Sequence, residues 1–333
     1  GGKSPTVTDA SLVLGYLNPD YFAGGDIILD KRRAMTTIER ISKRLGLDIS
    51  TAAFGIHRIV NSNMANQIRL VSIARGYDPR RFALVLLGGA GPVHGGALIQ
   101  ELGISTAIVP QTPGVLSAFG LLIGDVEHHA SKTYLTKAND VNMSEIKSIF
   151  AEIEAENEMK MKIDKIPLTE INVYRSADMR YVGQSYEIEI PIGLEELNDK
   201  SLSEIISGFH DSHKLTYGHS DPSMPIEFVN LRVTHSFSLP EPHLQKTDQG
   251  TFSIDDAGKG FRDAFFGKSF GYLKTPIYDR DKLPQGEDLN GPVIIEQVDT
   301  TTVIYPGQNC HVDESGNIII EQERRDENRS NHS

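Results

Sequence analysis

Residues 82–100 read FALVLLGGAGPVHGGALIQ, an apolar run that opens into a glycine-rich turn and then into an expected helix. Small residues at such a junction let backbone N–H groups and a helix N-terminus approach a phosphate-bearing ligand that Cβ atoms would otherwise hold off. The chemistry on offer is nucleotide binding, with Gly88, Gly89, Ala90, Gly91, Pro92 and His94 as candidate contacts. A Walker loop requires a lysine and a hydroxyl after its last glycine, whereas Ala97 and Leu98 follow Gly95 and Gly96. A Rossmann fingerprint requires a third glycine where His94 stands and an acidic residue about 20 positions on, so NAD binding is disfavoured. A tight turn without a ligand is the plain alternative, but two adjacent glycines plus Gly91 exceed what a turn requires.

Other residues carry weaker signals. Asp9, in TVTDA, is the catalytic candidate: its carboxylate could orient Mg²⁺-bound water or a substrate N–H, or simply cap the segment that follows. His94 has two readings, contact with a nucleotide ribose or phosphate and capping of its own helix. Asn61, Asn63 and Asn66 fall inside a helical stretch, where asparagine needs a partner, and either reach the cleft or bond neighbouring backbone. His210, His213 and His219 have only Asp211 and Asp221 as nearby carboxylates and no cysteine, so solvated or core histidines are expected and no metal site is assigned. Cys310 reads as a small apolar residue. Arg180, Tyr181, Gln184 and Tyr186 around Gly183 form either a binding surface or a buried hairpin with bonded polar tips, the latter slightly favoured.

Positioning these groups takes a chain of 333 residues, enough for two or three domains with their own cores. Its formal net charge of −12, with scattered basic residues, excludes a nucleic-acid surface. A single cysteine excludes an internal disulfide and suits a cytoplasmic protein. Residues 105–124 are uncharged, but Pro110, Pro113 and several glycines divide them, so they read as core and no membrane span is expected. The opening lacks both methionine and an apolar signal core, from which a fragment, a processed chain or an incompletely covered one is expected.

Periodicity predicts a helix from residue 29, with Asp30 as N-cap, Ala34, Ile38, Ile41 and Leu45 as its stripe and Gly46 as its stop. A longer helix over 50–75 has apolar positions too broadly spread for a surface stripe and is expected to be central and mostly buried. A strand over 82–87, the turn, a helix over 93–102, a strand over 106–109 and a helix over 114–123 indicate an α/β layer with a largely parallel sheet. Beyond it we expect helices over 143–162 and 202–217 and strands over 172–180, 185–191, 227–239, 263–273, 292–297, 300–305 and 317–321. The expected domains are 1–137, then an α+β to β-rich unit over 138–323, then a mobile tail over 324–333.

Several blocks resemble the hydantoinase A / 5-oxoprolinase family: GG..PTVTDA.LVLG.L at 1–17, NSNMANQIRLVSIARGYDPRRFALVLLGGAGPVHG at 61–95, VPQTPGVLSAFGLLIGD at 109–125, ADMRYVGQSYEIEI at 177–190 and GPVIIEQVDTTTVIYPG at 291–307. The resemblance implies the second lobe of an actin-like (ASKHA) ATPase fold followed by an α+β to mainly β C-terminal domain. It also implies use of ATP with Mg²⁺ or Mn²⁺, and a B-type partner subunit. Gly88 to Gly91 become the nucleotide-contacting turn. The family's two D-x-G-G-T phosphate loops are absent, since Gly24 and Gly25 are followed by Asp26, so the match is to the C-terminal part of an A subunit whose N-terminal half is a required partner. The implied reaction is hydrolysis of a small cyclic amide (a hydantoin, 5-oxoproline or another lactam) after phosphoryl transfer to its oxygen. The alternatives are the A-type subunit of an ATP-dependent acetone or acetophenone carboxylase, with a ketone substrate, and a non-catalytic scaffold.

Overall fold

The computed structural model describes residues 2, 4–73, 76–193, 199–240 and 252–322. The chain begins with α1 (Val7–Val13), α2 (Lys31–Leu45) and α3 (Ile49–Ile73), followed by β1 (Leu84–Val85), α4 (Gly91–Leu102), β2 (Thr106–Val109) and α5 (Leu116–Ile123). Next come β3 (Val126–Lys137), α6 (Met143–Ile163), β4 (Asn172–Tyr181), β5 (Ile188–Pro191), α7 (Asp199–Tyr217) and β6 (Ile226–Phe237). The last stretch holds α8 (Ile254–Ala257), β7 (Gly258–Phe265), β8 (Tyr272–Asp279), β9 (Leu289–Asn290), β10 (Val293–Glu296), β11 (Thr301–Ile304), β12 (Gln308–Val312) and β13 (Ile318–Gln322).

Local signals place the helices closely. Asp30 accepts the Arg33 N–H at 3.1 Å, and Gly46 ends α2 at φ +65°, a left-handed backbone that glycine enters without steric cost. The long helix departs from expectation. Only a narrow stripe of Ala52, Ala53, His57, Asn61 and Ala65 is buried, while Ile59, Leu70, Val71 and Ile73 are each more than half exposed. Ala53, His57, Asn61 and Ala65 recur every four residues and form the buried face of α3, Phe54, Ile56, Met64 and Ile68 flank it half-buried, and Ile59, Leu70, Val71 and Ile73 turn outward.

The chain packs into two compact units. One compact unit comprises Gly1–Gly120 and His243–Ser333, the other Leu121–Pro242. The β-rich end of the chain therefore completes the first unit instead of belonging with 138–240. The expected tail over 324–333 lies outside the described residues.

In the first unit a five-stranded sheet has the order β1-β2-β13-β12-β9, and a four-stranded sheet the order β11-β10-β8-β7. Sheet pairing is mixed instead of largely parallel: β1 and β2 are parallel, as are β8 and β10, and the remaining pairs are antiparallel. The reason is that β13 occupies the free edge of β2, with Ile319 opposite Ile108. The expected strand over 263–273 is instead a hairpin, its turn closed by Gly271 N–H to Gly267 O at 2.7 Å. The second unit has its own sheet, β3-β6-β4-β5, whose core includes Phe150, Ile146, Phe209 and Phe228.

Helix α4 docks through glycine. A Cβ on Gly96 would lie 2.9 Å from Val303 O and 2.8 Å from the Tyr305 ring, and Gln308 Nε2 donates to Gly96 O at 2.8 Å. Backbone cannot retreat as a flexible side chain would. Gly96→Ala is therefore expected to lower the stability of the first unit by about 2 kcal/mol despite alanine's better helix propensity, read as a lower urea midpoint.

Candidate functional site

Strand β1 delivers the chain to Gly88, whose φ of +80° reverses its direction and whose Cβ position faces open space, with nothing within 4 Å. Gly88 N–H bonds Pro113 O at 2.7 Å. A Cβ on Gly89 would sit 3.1 Å from Asp299 O, and Gly89 O accepts the Thr300 hydroxyl at 2.9 Å. Ala90 is the N-cap of α4 and offers no side-chain hydrogen bond, while Pro92 fills the first turn, where its missing N–H costs nothing. The first-turn amides thus have no capping side chain competing with a ligand.

Two concavities flank this turn. One is a cleft of about 250 Å³ lined by Thr8, Ser11, Tyr21, Gly89, Ala90 and His94, with Gln297 to Thr301 as its far wall. The other, about 700 Å³, is lined by Leu84 to Leu87 of the strand, Gly91 and His94, and by Asn63, Met64, Asn66 and Gln67 of α3. Among the expected contacts, Gly89, Ala90, Gly91 and His94 line one or both concavities. Asp9 lines neither; its carboxylate accepts the Thr6 N–H and hydroxyl, each at 2.8 Å, in a capping box that starts α1.

His94 does not cap its helix. Its Nδ1 donates to Asn61 Oδ1 at 2.7 Å, and Asn61 Nδ2 in turn donates to His57 Nδ1 at 2.9 Å. The carboxamide thereby sets both tautomers: His94 carries its proton on Nδ1 and His57 on Nε2. The two rings stack with centroids 4.4 Å apart. Burial, with repulsion from His94, pushes His57 down to about 3, and burial pushes His94 down to about 4. Both are neutral at physiological pH. A neutral His94 presents a lone pair at Nε2, which suits a hydroxyl or amine donor better than a phosphate oxygen.

The far wall was invisible as a functional element in the sequence. Asp299 Oδ2 accepts the Gly114 N–H at 2.7 Å, tying the 113–115 turn to this loop, and its Oδ1 is enclosed without a partner. A polar DTTT run between apolar strands was the available signal. Tyr21 is held by the Lys259 ammonium 3.5 Å above its ring, and Lys259 in turn pairs with buried Glu296 at 2.6 Å. Burial pushes the Glu296 carboxyl up, but its bonds to Lys259 and Arg262 prevail and hold it below its ordinary value.

In the second unit the cluster around Gly183 is a bonded hairpin. Arg180 binds Glu227 at 2.7 Å and Glu187 at 3.1 Å, Gln184 caps Tyr181 N–H, and the Tyr181 hydroxyl meets His210 Nδ1 at 2.8 Å. His213 donates from Nδ1 to His219 O at 2.7 Å. Among the described residues no group of three or more His, Cys, Asp or Glu side chains could hold a metal ion, and no helix is long and apolar enough to cross a membrane.

The fold defines a class: α/β, shared with the crystal structure of ATP-dependent caprolactamase from Pseudomonas jessenii at TM-score 0.80 and 31% identity, covering 96% of this chain and 47% of that one. Two family models then match in order, Hydantoinase/oxoprolinase over 1–130 and the Hydantoinase/oxoprolinase C-terminal domain over 134–321. The chain belongs to the hydantoinase/oxoprolinase family. Caprolactamase subunit alpha of Pseudomonas jessenii is 32% identical over 95% of the chain and 46% of its own length. The acetone carboxylase beta subunit of Xanthobacter autotrophicus is 26% identical over 94% of the chain and 45% of its own. The chain spans about half the length of the curated relatives it matches.

Proposed function

We propose that this chain is the C-terminal part of an ATP-dependent amidohydrolase A subunit, the second lobe of an actin-like ATPase unit, and that its glycine turn holds the nucleotide. The observation that carries the reading is the turn itself: Gly89, Ala90 and Gly91 line two concavities at the start of a helix with no side-chain cap, and Gly88 beside them opens onto free space. Main-chain amides at residues 89–91 supply donors, the Gly88 N–H being taken by Pro113 O, and neutral His94 accepts from a ribose hydroxyl. ATP transfers its γ-phosphoryl group to the oxygen of a small cyclic amide; water adds to the carbonyl carbon, the ring C–N bond breaks and phosphate leaves. Mg²⁺ or Mn²⁺, if bound with the nucleotide, would neutralise phosphate charge during the transfer and would need few protein ligands. The remaining cleft wall comes from the part of the relatives that this chain does not cover, and a B-type subunit completes a cytoplasmic hetero-oligomer.

Cyclic amide hydrolysis leads because the caprolactamase subunit is closer in sequence than the carboxylase subunit. Ketone carboxylation is the second reading, favoured by the latter's nearly full coverage of this chain. Calorimetric titration with ATP, with and without a chain carrying the D-x-G-G-T loops, tests nucleotide binding, and no binding in either case leaves only the scaffold. In the assembled protein, ATP hydrolysis stimulated by caprolactam or 5-oxoproline supports hydrolysis. Stimulation by acetone with bicarbonate alone overturns it.

A further inference from the structure

A third cavity of the first unit, about 700 Å³, shares no lining residue with the cleft containing Thr300. It forms where the β7–β8 hairpin turn presses on α3. Gly267 has φ +88°, and a Cβ there would lie 2.8 Å from the Phe54 ring, so the turn can approach that closely only as glycine. The contact carries Lys268 to the same cavity as Arg58.

Three features of the lining are unused by the fold. Among the described residues Arg58 makes no ion pair or hydrogen bond, and the Lys268 ammonium lies close enough to the Asp48 carboxylate to help lower it. His57, fully buried in the cavity wall, has its Nε2 enclosed without a partner. Because Asn61 donates to Nδ1, that Nε2 carries the proton and is a donor lacking an acceptor. A buried N–H without an acceptor is costly, and the ring that carries it lines this cavity. Phe54, Phe266 and Phe270 supply apolar walls, while Glu101, which accepts the Ser62 hydroxyl at 2.8 Å, supplies one negative charge.

We propose that this cavity binds a small organic carboxylate on an apolar stem, with Arg58 and Lys268 holding the carboxylate end. Two separate cations and three aromatic rings suit such a molecule better than inorganic phosphate, which would leave the apolar walls uncovered, and the volume is that of an ordinary small-molecule pocket. Opening of a lactam yields an amino carboxylate and carboxylation of a ketone a keto carboxylate, so either reaction supplies the shared chemistry. The hydrogen-bonded path His57–Asn61–His94 connects this cavity to the glycine-turn cleft, so occupancy is sensed at His94.

The test uses the full chain with ¹⁵N-labelled histidine, followed by NMR. Hexanoate is expected to shift the assigned His57 Nε2 resonance saturably, and the double variant Arg58→Gln, Lys268→Gln to weaken it about tenfold or more with an unchanged melting temperature, since both side chains are exposed. Tighter binding of 6-aminohexanoate than of acetoacetate would identify lactam opening as the source, with Glu101 receiving the ammonium; the reverse order would identify carboxylation. Equal affinity for hexanamide or inorganic phosphate, a silent His57, or full affinity in the double variant would each overturn the assignment. The inference stands apart from nucleotide binding, which is read separately by ATP titration of the same sample.

Discussion

Lowering the pH from 7.5 to 5.0 is expected to cost the first unit about 4 kcal/mol, shared between His57 and His94. Both have folded values, about 3 and about 4, below the ordinary 6.5, so the unfolded chain binds more protons throughout this window and stability falls with pH. Each histidine contributes about 1.4 kcal/mol per unit once the pH is below 6.5. Carboxylates with ordinary values near 3.8, such as Asp178, begin to contribute only at lower pH. Buried His235, in the second unit, is also shifted down by burial and acts in the same direction, so the informative quantity is a difference between variants. His57→Gln retains an acceptor for Asn61 while removing one titration. Urea unfolding followed in the first unit should show about half the wild-type pH effect in this variant. An unchanged slope would mean that the imidazole pair is not held neutral by its surroundings.

Gly88→Asn is expected to weaken ATP binding about a hundredfold or more while leaving the fold intact. Asparagine enters the left-handed region more readily than other side-chain-bearing residues, so the φ of +80° should survive at a cost of about 1 kcal/mol. Its Cβ would meet no protein atom within 4 Å, so the protein accommodates the new side chain, and under the proposed reading that side chain crowds the nucleotide held by residues 89–91. Gly96→Ala is the complementary variant, since its clash is with the protein itself and its loss is in stability. Calorimetry with ATP and a melting curve on each variant separate the two effects. Wild-type affinity in Gly88→Asn would show that the turn faces away from the ligand, and the proposed site would fall with it.

Several parts of the molecule were legible because their physics is local. Asp30 and Gly46 delimit α2 through bonds that span three or four residues, and Asp9 does help start α1, though from its third helical position, with Thr6 as the N-cap. The same capping box engages the Asp9 carboxylate, and Asp9 lines neither concavity at the glycine turn. The glycine turn announced itself because a close backbone approach needs the absence of Cβ wherever the chain is read. Strand β3 lacks such a signal for an equally physical reason: among the described residues it lies at a sheet edge, paired with β6 alone, and it buries little beyond Tyr134, so VEHHASKTYLTK has too few apolar residues to show a period of two.

The amino-acid sequence by itself determined the helix limits, the α/β class, the family and the open turn at Gly88. Tertiary structure alone decided that β12 and β13, some 200 residues away, complete the sheet beside β2, that Asp299 and Thr300 face Gly89, and that Asn61 bridges two neutral histidines. Caps, turns and periodicity are set by neighbours within a few residues. Strand partners and the lining of a cleft are set by which edges and faces remain free once the local elements have formed, and that choice is made only when distant parts of the chain pack together.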